Sequence, residues 1–266
     1  MHVSALYEYP VKSLGGHART ELEPTERGFA DDRRWMFTDA DGTFITQRQH
    51  PGMARFAAAT VGESGLRIYR IADGATVWAT EVARPTGGNR QRVRVWDDTF
   101  SAATVEVPAA LGDTLGLPGA GLVYMDSSSN RPVDGRYARH GETVSFADGY
   151  PYLITSEESL RDLEARREAP LDMRRFRPNI VVSGATPFAE DDWTGIRIAG
   201  HTFYLPKPCA RCVMVTHAPD TGERDLRVLS TLAAYRKRDS KVLFGMNALW
   251  SGGSGPLRVG DAVALI

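Results

Sequence analysis

The run KPCARC, Lys207 to Cys212, contains both cysteines of a 266-residue chain, two residues apart. Thiols at that spacing serve several chemistries. A structural zinc site needs four ligands, supplied by a second Cys-x-x-Cys or by a histidine pair at matching spacing. Neither is present, and His201 and His217 beside the cysteines make no finger pattern. A redox dithiol of the thioredoxin kind opens a helix, whereas Val-Met-Val-Thr after Cys212 reads as strand. Pro208 likewise favours extended backbone at Lys207. Two inert core cysteines are the plain structural reading. Against inertness, Lys207 and Arg211 set cations beside the sulfurs. A sulfur so placed can bind a soft transition metal, including one held mainly by an anionic cofactor.

Three other segments carry groups of the same kind. YPVKSLGG, Tyr9 to Gly16, puts Lys12 and Ser13 at a strand end before two glycines. It offers a cation, a hydroxyl and accessible backbone N–H groups to a phosphate, without Walker spacing. In DDRRWMF, Arg33 and Arg34 lead into a strand, and their ordinary role is pairing with Asp31 and Asp32. In RRFRPNIVVSG, Arg177 and Asn179 flank Pro178 before a buried strand, aimed at solvent or at an anion.

The elements that must position these groups are mostly strands. VSALYEY, RRWMFT, TFITQ, LRIYRI, ATVWAT, RVRVW, GLVYM, NIVVSG, IRIAG, TFYL, CVMVT and AVALI are short β-branched or aromatic runs between Gly, Pro and Asp. Asp39–Gly42, Ala72–Gly74 and Ala199–Gly200 read as hairpin turns. Helices are few. Thr155 to Glu158 reads as a capping box with Thr155 as N-cap, opening SEESLRDLEARRE. VLSTLAAYRKR and ALGDTLGL are two more. Val82–Gln91 and Asp126–Pro151 are loops, the second long enough to be functional. The pattern predicts a mainly β protein of barrel or sandwich type with a few helices, and a boundary near residues 120 to 145.

Composition narrows the partners. Net charge is −1, which supports neither nucleic acid nor a membrane surface. No apolar run approaches the roughly 20 residues of a spanning helix, and the first residues do not read as a signal peptide. Two cysteines form no disulfide framework, so a cytoplasmic setting is expected.

In combination and order the motifs are more specific. YPVKS, DGTFITQRQ, SFADGYPYLI, FRPNIVVSGA, KPCARC, PDTG, LFGMN and LRVGDAV resemble the MOSC superfamily in its two-part form, similar to bacterial YcbX-type proteins and the mitochondrial amidoxime-reducing component. The resemblance runs from about residue 3 to the C-terminus. It implies a MOSC N-terminal β-barrel domain over 1–120 and a MOSC β-barrel domain over 121–266. It also implies a molybdenum cofactor (Mo-molybdopterin) with Cys212 as the protein's metal ligand. Cofactor contacts carry over to Lys12, Ser13, Arg33, Arg177, Asn179, the backbone of Ala210 and Arg211, and Asn247, with Asp148 as an acidic group near the metal.

The implied activity is reduction of N-hydroxylated compounds (hydroxylamines, amidoximes or N-hydroxylated bases). Electrons would come from a separate donor protein of ferredoxin or cytochrome type with its reductase, since no further cysteines remain for an iron–sulfur cluster in this chain. The alternative is a cofactor-carrying or sulfur-transferring MOSC protein. The chain departs from its relatives at His217-Ala218, where they often carry an acidic residue, and at Gly149-Tyr150, where the mitochondrial ones tend to have two small residues.

Overall fold

The computed structural model describes residues 1–85 and 87–266; Thr86, inside the polar loop expected at Val82–Gln91, lies outside them. The first strand, β1 (His2–Glu8), pairs at its C-terminal end with the short strand His17–Arg19 that follows it and reaches far along the chain with the rest. It pairs antiparallel with a strand near residue 180. The next half of the chain builds two small sheets around one core. β2 (Trp35–Thr38) closes a four-stranded sheet with β6 (Arg90–Val95), β7 (Asp98–Val105) and β8 (Gly121–Tyr124), in the order β6-β7-β8-β2. Between them in sequence, β3 (Phe56–Val61), β4 (Gly65–Arg70) and β5 (Thr76–Thr80) form a meander. Period-2 alternation sorts the side chains: Trp35 and Phe37 enter the larger apolar cluster with Leu14, Phe56 and Ile68, while Met36 faces the opposite cluster with Val93 and Phe146. Helix α1 (Ala109–Leu115) caps the larger cluster with Leu111 and Leu115.

The C-terminal half contributes β9 (Tyr152–Ser156), β10 (Ile180–Ser183), β11 (Gly195–Ile198), β12 (His201–Arg211), β13 (Lys241–Trp250) and β14 (Val263–Leu265). With β1 and its short neighbour His17–Arg19 at one side they run β1-β10-β9-β13-β12-β11-β14. The β14 side of this sheet then meets the N-terminal part of β1, which His17–Arg19 leaves open: Val3 N donates to Asp261 O (2.9 Å), Gly260 N to Val3 O (2.8 Å) and Val263 N to Met1 O (3.0 Å). These bonds curl the sheet into a barrel with no free edge between β14 and β1. Ile180 and Val182 point into the barrel core with Ile154, Ile196 and Phe203, and Val181 points out to a helical layer.

That outer layer comprises α2 (Glu157–Arg167) and α3 (Arg227–Arg236). The cap of α2 falls one residue later than the motif indicated. Ser156 Oγ accepts from Glu158 N and Ser159 N, while Thr155 completes β9 opposite Val181 and turns its hydroxyl to Met173. Thr155 is held by its ladder, so the next hydroxyl takes the cap. In β13, Gly245 has φ +73° and a Cβ there would meet Ile154 O at 2.7 Å. This left-handed residue breaks the alternation, sending Phe244 to the helices and Met246 to the barrel core. Two expected strands are absent among the described residues: Thr43–Gln47 makes isolated bridges only, and Val213–Thr216 is a 3-10 turn.

Phe244 is fully buried and stacks on Phe176 with ring centroids 3.9 Å apart. Phe244→Ala should cost ~3–5 kcal/mol of unfolding free energy in urea titrations, whereas Ser156→Ala should cost only ~1 kcal/mol through the lost cap.

Candidate active site

The motifs named above, more than 200 residues apart at their extremes, converge on one cleft between the two halves. It has a volume of about 150 Å³. Cys212, Asp148, Lys12, Ser13, Arg33, Arg177, Asn179, Ala210, Arg211 and Asn247 all line it. The first half supplies Lys12, Ser13, Arg33 and one more residue, Arg48; the remainder come from the segments before β9, before β10, the end of β12, and β13.

The backbone here is unusual. Ser13 (φ 68°), Arg33 (φ 49°) and Arg177 (φ 54°) are left-handed non-glycine residues, and all three face the cleft. Such conformations cost of order 1–3 kcal/mol each and persist only where the surroundings fix them. Lys12 N donates to Trp35 O (2.8 Å), Arg33 N to Tyr9 O (2.8 Å) and Arg177 N to Arg174 O (3.0 Å). Each strained residue therefore sits on or beside a bond that pins it.

Charge is concentrated and mostly positive. Among the described residues the cleft is lined by Lys12, Arg33, Arg48, Arg177 and Arg211, against the single carboxylate of Asp148. The Lys12 side chain is 5% exposed and donates to Phe146 O and Asp148 Oδ1, both at 2.7 Å. Burial pulls its pKa down to about 8, with Asp148 opposing. Asp148 is ringed by protein, but its side chain keeps 56% exposure because it faces the opening. Burial pushes its carboxyl up, and Lys12 with Arg48 together overcome that and hold it well below the usual range. Arg33 donates to Asp32 Oδ2 (2.6 Å), Asn179 Oδ1 (3.0 Å) and Arg177 O (2.9 Å). The Tyr9 ring makes cation–π contacts to the guanidiniums of both Arg33 (4.5 Å) and Arg177 (4.3 Å). Burial and the nearby Arg33 lower Arg177 to about 10.

The cysteines differ. Cys209, on β12, is half-buried and receives Arg211 Nη1 at 2.9 Å. Cys212 is exposed at the start of the 3-10 turn, and Arg48 Nε donates to its sulfur at 3.4 Å. The register of β12 against β13 slips twice, between Tyr204 and Lys207 and between Pro208 and Ala210. Asn247 braces that irregularity, its Nδ2 donating to Pro208 O at 3.3 Å.

Sequence reasoning passed over two residues. Arg48 joins Cys212 to Asp148, its Nη2 donating to Asp148 Oδ2 at 2.6 Å. Arg131, with a side chain 1% exposed, organises the long loop by donating to Asp98 (2.8 Å), Ser145 O (3.0 Å), Ala147 O and Asp148 O (3.0 Å). Both sit in polar, charged runs that resemble solvated loops, and only the fold shows what they reach.

This donor set suits an anionic cofactor that brings its own metal. No three His, Cys, Asp or Glu side chains converge among the described residues, so a metal held by protein alone lacks ligands. A chelated metal needs one sulfur, which Cys212 provides. Arg177 Nη2 and Arg211 Nε are buried without partners, so the cleft holds donors that an anionic group would satisfy.

Lys12 gives a pH signature. Its folded pKa of about 8 lies below the ordinary lysine value of 10.5, so the fold is penalised by charged Lys12 below pH 8 and relieved as pH rises to 10.5. The unfolding free energy of wild type relative to Lys12→Met should therefore rise across pH 8–10.5, by up to about 3 kcal/mol. A flat difference would show that burial does not perturb this ammonium.

Comparison with known proteins places the two halves. Residues 1–116 match the MOSC N-terminal beta barrel domain and residues 141–264 the MOSC domain. Mitochondrial amidoxime reducing component 2 of Rattus norvegicus is 32% identical over 98% of this chain and 82% of its own length. Mitochondrial amidoxime-reducing component 1 of Mus musculus is 29% identical over 99% of this chain and 82% of its own. Molybdenum cofactor sulfurase of Oryza sativa subsp. japonica is 27% identical over 92% of this chain, which spans only 32% of that protein's length. The chain belongs to the MOSC family, in the branch that joins a MOSC N-terminal β-barrel domain to a MOSC domain.

Proposed function

We propose that this protein is a molybdenum-cofactor-dependent reductase of N-hydroxylated compounds, fed by a separate electron-donor protein. The observation that carries the reading is the cleft itself: one exposed sulfur beside one carboxylate, among five cations of which Arg177 and Arg211 keep buried N–H groups without partners. The names of the amidoxime-reducing relatives support the substrate class. When bound, the cofactor supplies two-electron chemistry at molybdenum.

The chain's own residues do the rest. Cys212 offers its sulfur to the metal. Lys12, Ser13, Arg33, Arg177 and Asn179, with the backbone at Ala210 and Arg211 and the amide of Asn247, would hold the pterin and its phosphate. Reduction of N–OH to N–H releases water and consumes two protons. Asp148 stays charged and is a poor proton source alone, but it accepts a hydrogen bond from the Lys12 ammonium, whose pKa of about 8 suits donation near neutral pH. The pair can therefore pass protons toward the cleft opening. Tyr150 and Gly149 border the same space and would shape what enters it.

The division near residue 120, the cytoplasmic setting and a partner set without nucleic acid or membrane belong to this proposal. No helix among the described residues is long and apolar enough to cross a membrane.

A second reading, transfer of sulfur or carriage of the cofactor, is favoured by two observations. They are the half-buried Cys209 in contact with Arg211 and the similarity to plant molybdenum cofactor sulfurase. Metal content separates the two. Protein from a cofactor-competent host should carry close to one molybdenum per chain and reduce a hydroxylamine with a chemical electron donor. Cys212→Ser should lower that activity by roughly 100-fold or more without changing the fold, and Cys209→Ser should keep most of it. A cysteine persulfide with no molybdenum would favour sulfur transfer. Full activity in Cys212→Ser, with molybdenum retained, would end the ligand assignment.

A further inference from the structure

Resting on the reading above, we propose that Arg48 is a positioning residue: one guanidinium fixes both the Cys212 sulfur and the Asp148 carboxylate, and Trp96 holds it in place. Its Nε donates to Cys212 Sγ at 3.4 Å and its Nη2 to Asp148 Oδ2 at 2.6 Å. Neither partner is near it in sequence, at separations of 164 and 100 residues. The two groups that the reaction needs in register, a metal-binding sulfur and a proton-handling carboxylate, thus share one planar donor. Only arginine can do this, because its N–H groups leave a rigid fork in fixed directions, whereas a lysine is a single point of charge.

Three further features are arranged around Arg48. The face of its guanidinium lies 4.5 Å from the Trp96 ring, and Phe44 packs on Trp96 at 5.1 Å. Trp96 is 46% exposed and left-handed, with φ 55°. A bulky side chain in that region is an outlier, and here the β6–β7 turn that imposes it delivers the ring over Arg48. The Arg48 side chain is in consequence only 19% exposed. From below, Thr46 and Gln47 are buried, and Gln49 N and His50 N both donate to Thr46 O. The neighbouring 3-10 turn Pro51–Arg55 abuts Gly222 (φ +77°), where a Cβ would meet Pro51 O at 2.5 Å. The turn carrying Arg48 is thus clamped against the Pro219–Gly222 turn of the other half. Hydrogen bonds to a metal-bound sulfur tune the metal, and partners one step removed from a ligand are worth about 10–100-fold.

Arg48→Lys tests this by three readouts: molybdenum per chain, the KM-against-kcat split for a hydroxylamine, and the Mo(V) electron paramagnetic resonance signal of partly reduced protein. Molybdenum should stay at the wild-type level, kcat should fall roughly 10–100-fold with KM little changed, and the Mo(V) signal should shift. Trp96→Ala should reproduce part of each change and Trp96→Phe recover most of it, which keeps the test open if Arg48→Lys does not fold. Wild-type kcat and an unshifted signal in both Arg48→Lys and Trp96→Ala would overturn the proposal. So would loss of molybdenum from a folded Arg48→Lys, which would make Arg48 a cofactor anchor, or lost activity with an unchanged Mo(V) signal. If wild type holds molybdenum but reduces no hydroxylamine, the reductase reading fails while the spectroscopic comparison still decides the role of Arg48.

Discussion

The Asp148 carboxylate, bound on one oxygen by Lys12 and on the other by Arg48, is the constraint on which the cleft depends. An ammonium buried as deeply as Lys12 is unstable unless an anion compensates it, and Asp148 is the only carboxylate lining the site among the described residues. Both cations belong to the first fifty residues, whereas the carboxylate hangs from the long loop before β9. Meeting its charge requirement therefore brings the two halves together. Arg131 completes the arrangement from behind, fixing the carbonyls at 145, 147 and 148 so that the loop has little freedom to swing the carboxylate away.

Strain and charge are co-located. Ser13, Arg33 and Arg177 adopt backbone conformations they would not choose alone, and each presents its side chain to the same volume. Tyr9, in contact with both guanidiniums, makes their proximity more tolerable through its π system. An excess of positive charge held this rigidly is a preorganised receptor for an anion. The stability given up in building it is regained when a ligand binds the folded chain and not the unfolded one.

Much of this was legible in the sequence, for uneven reasons. The strands of the barrel announce themselves because Ile180, Val181 and Val182 are β-branched and bounded by Asn179 and Gly184. The candidate site residues were legible as motifs, since Lys12, Arg177 and Cys212 lie in runs whose order is distinctive. Val213–Thr216 misled, because β-branched residues favour strands locally while the tertiary bend at Cys212 required a turn. Thr155 misled by offering a good cap one residue early. Arg48 was invisible for a deeper reason: its partners lie 100 and 164 residues away, and its support, Trp96, gives no signal except an ordinary hairpin turn.

The seam between β1 and β14 bears on biosynthesis. Strand β1 has one neighbour close in sequence, His17–Arg19, and others at residues 180–183 and 261–263 that are made much later. Its N-terminal part, which those late segments cover, stays open to mispairing until they have been made. The barrel wall that frames half of the cleft cannot seal until residues 260–263 have been made. Any ligand that needs both walls of the cleft can be held only after that closure.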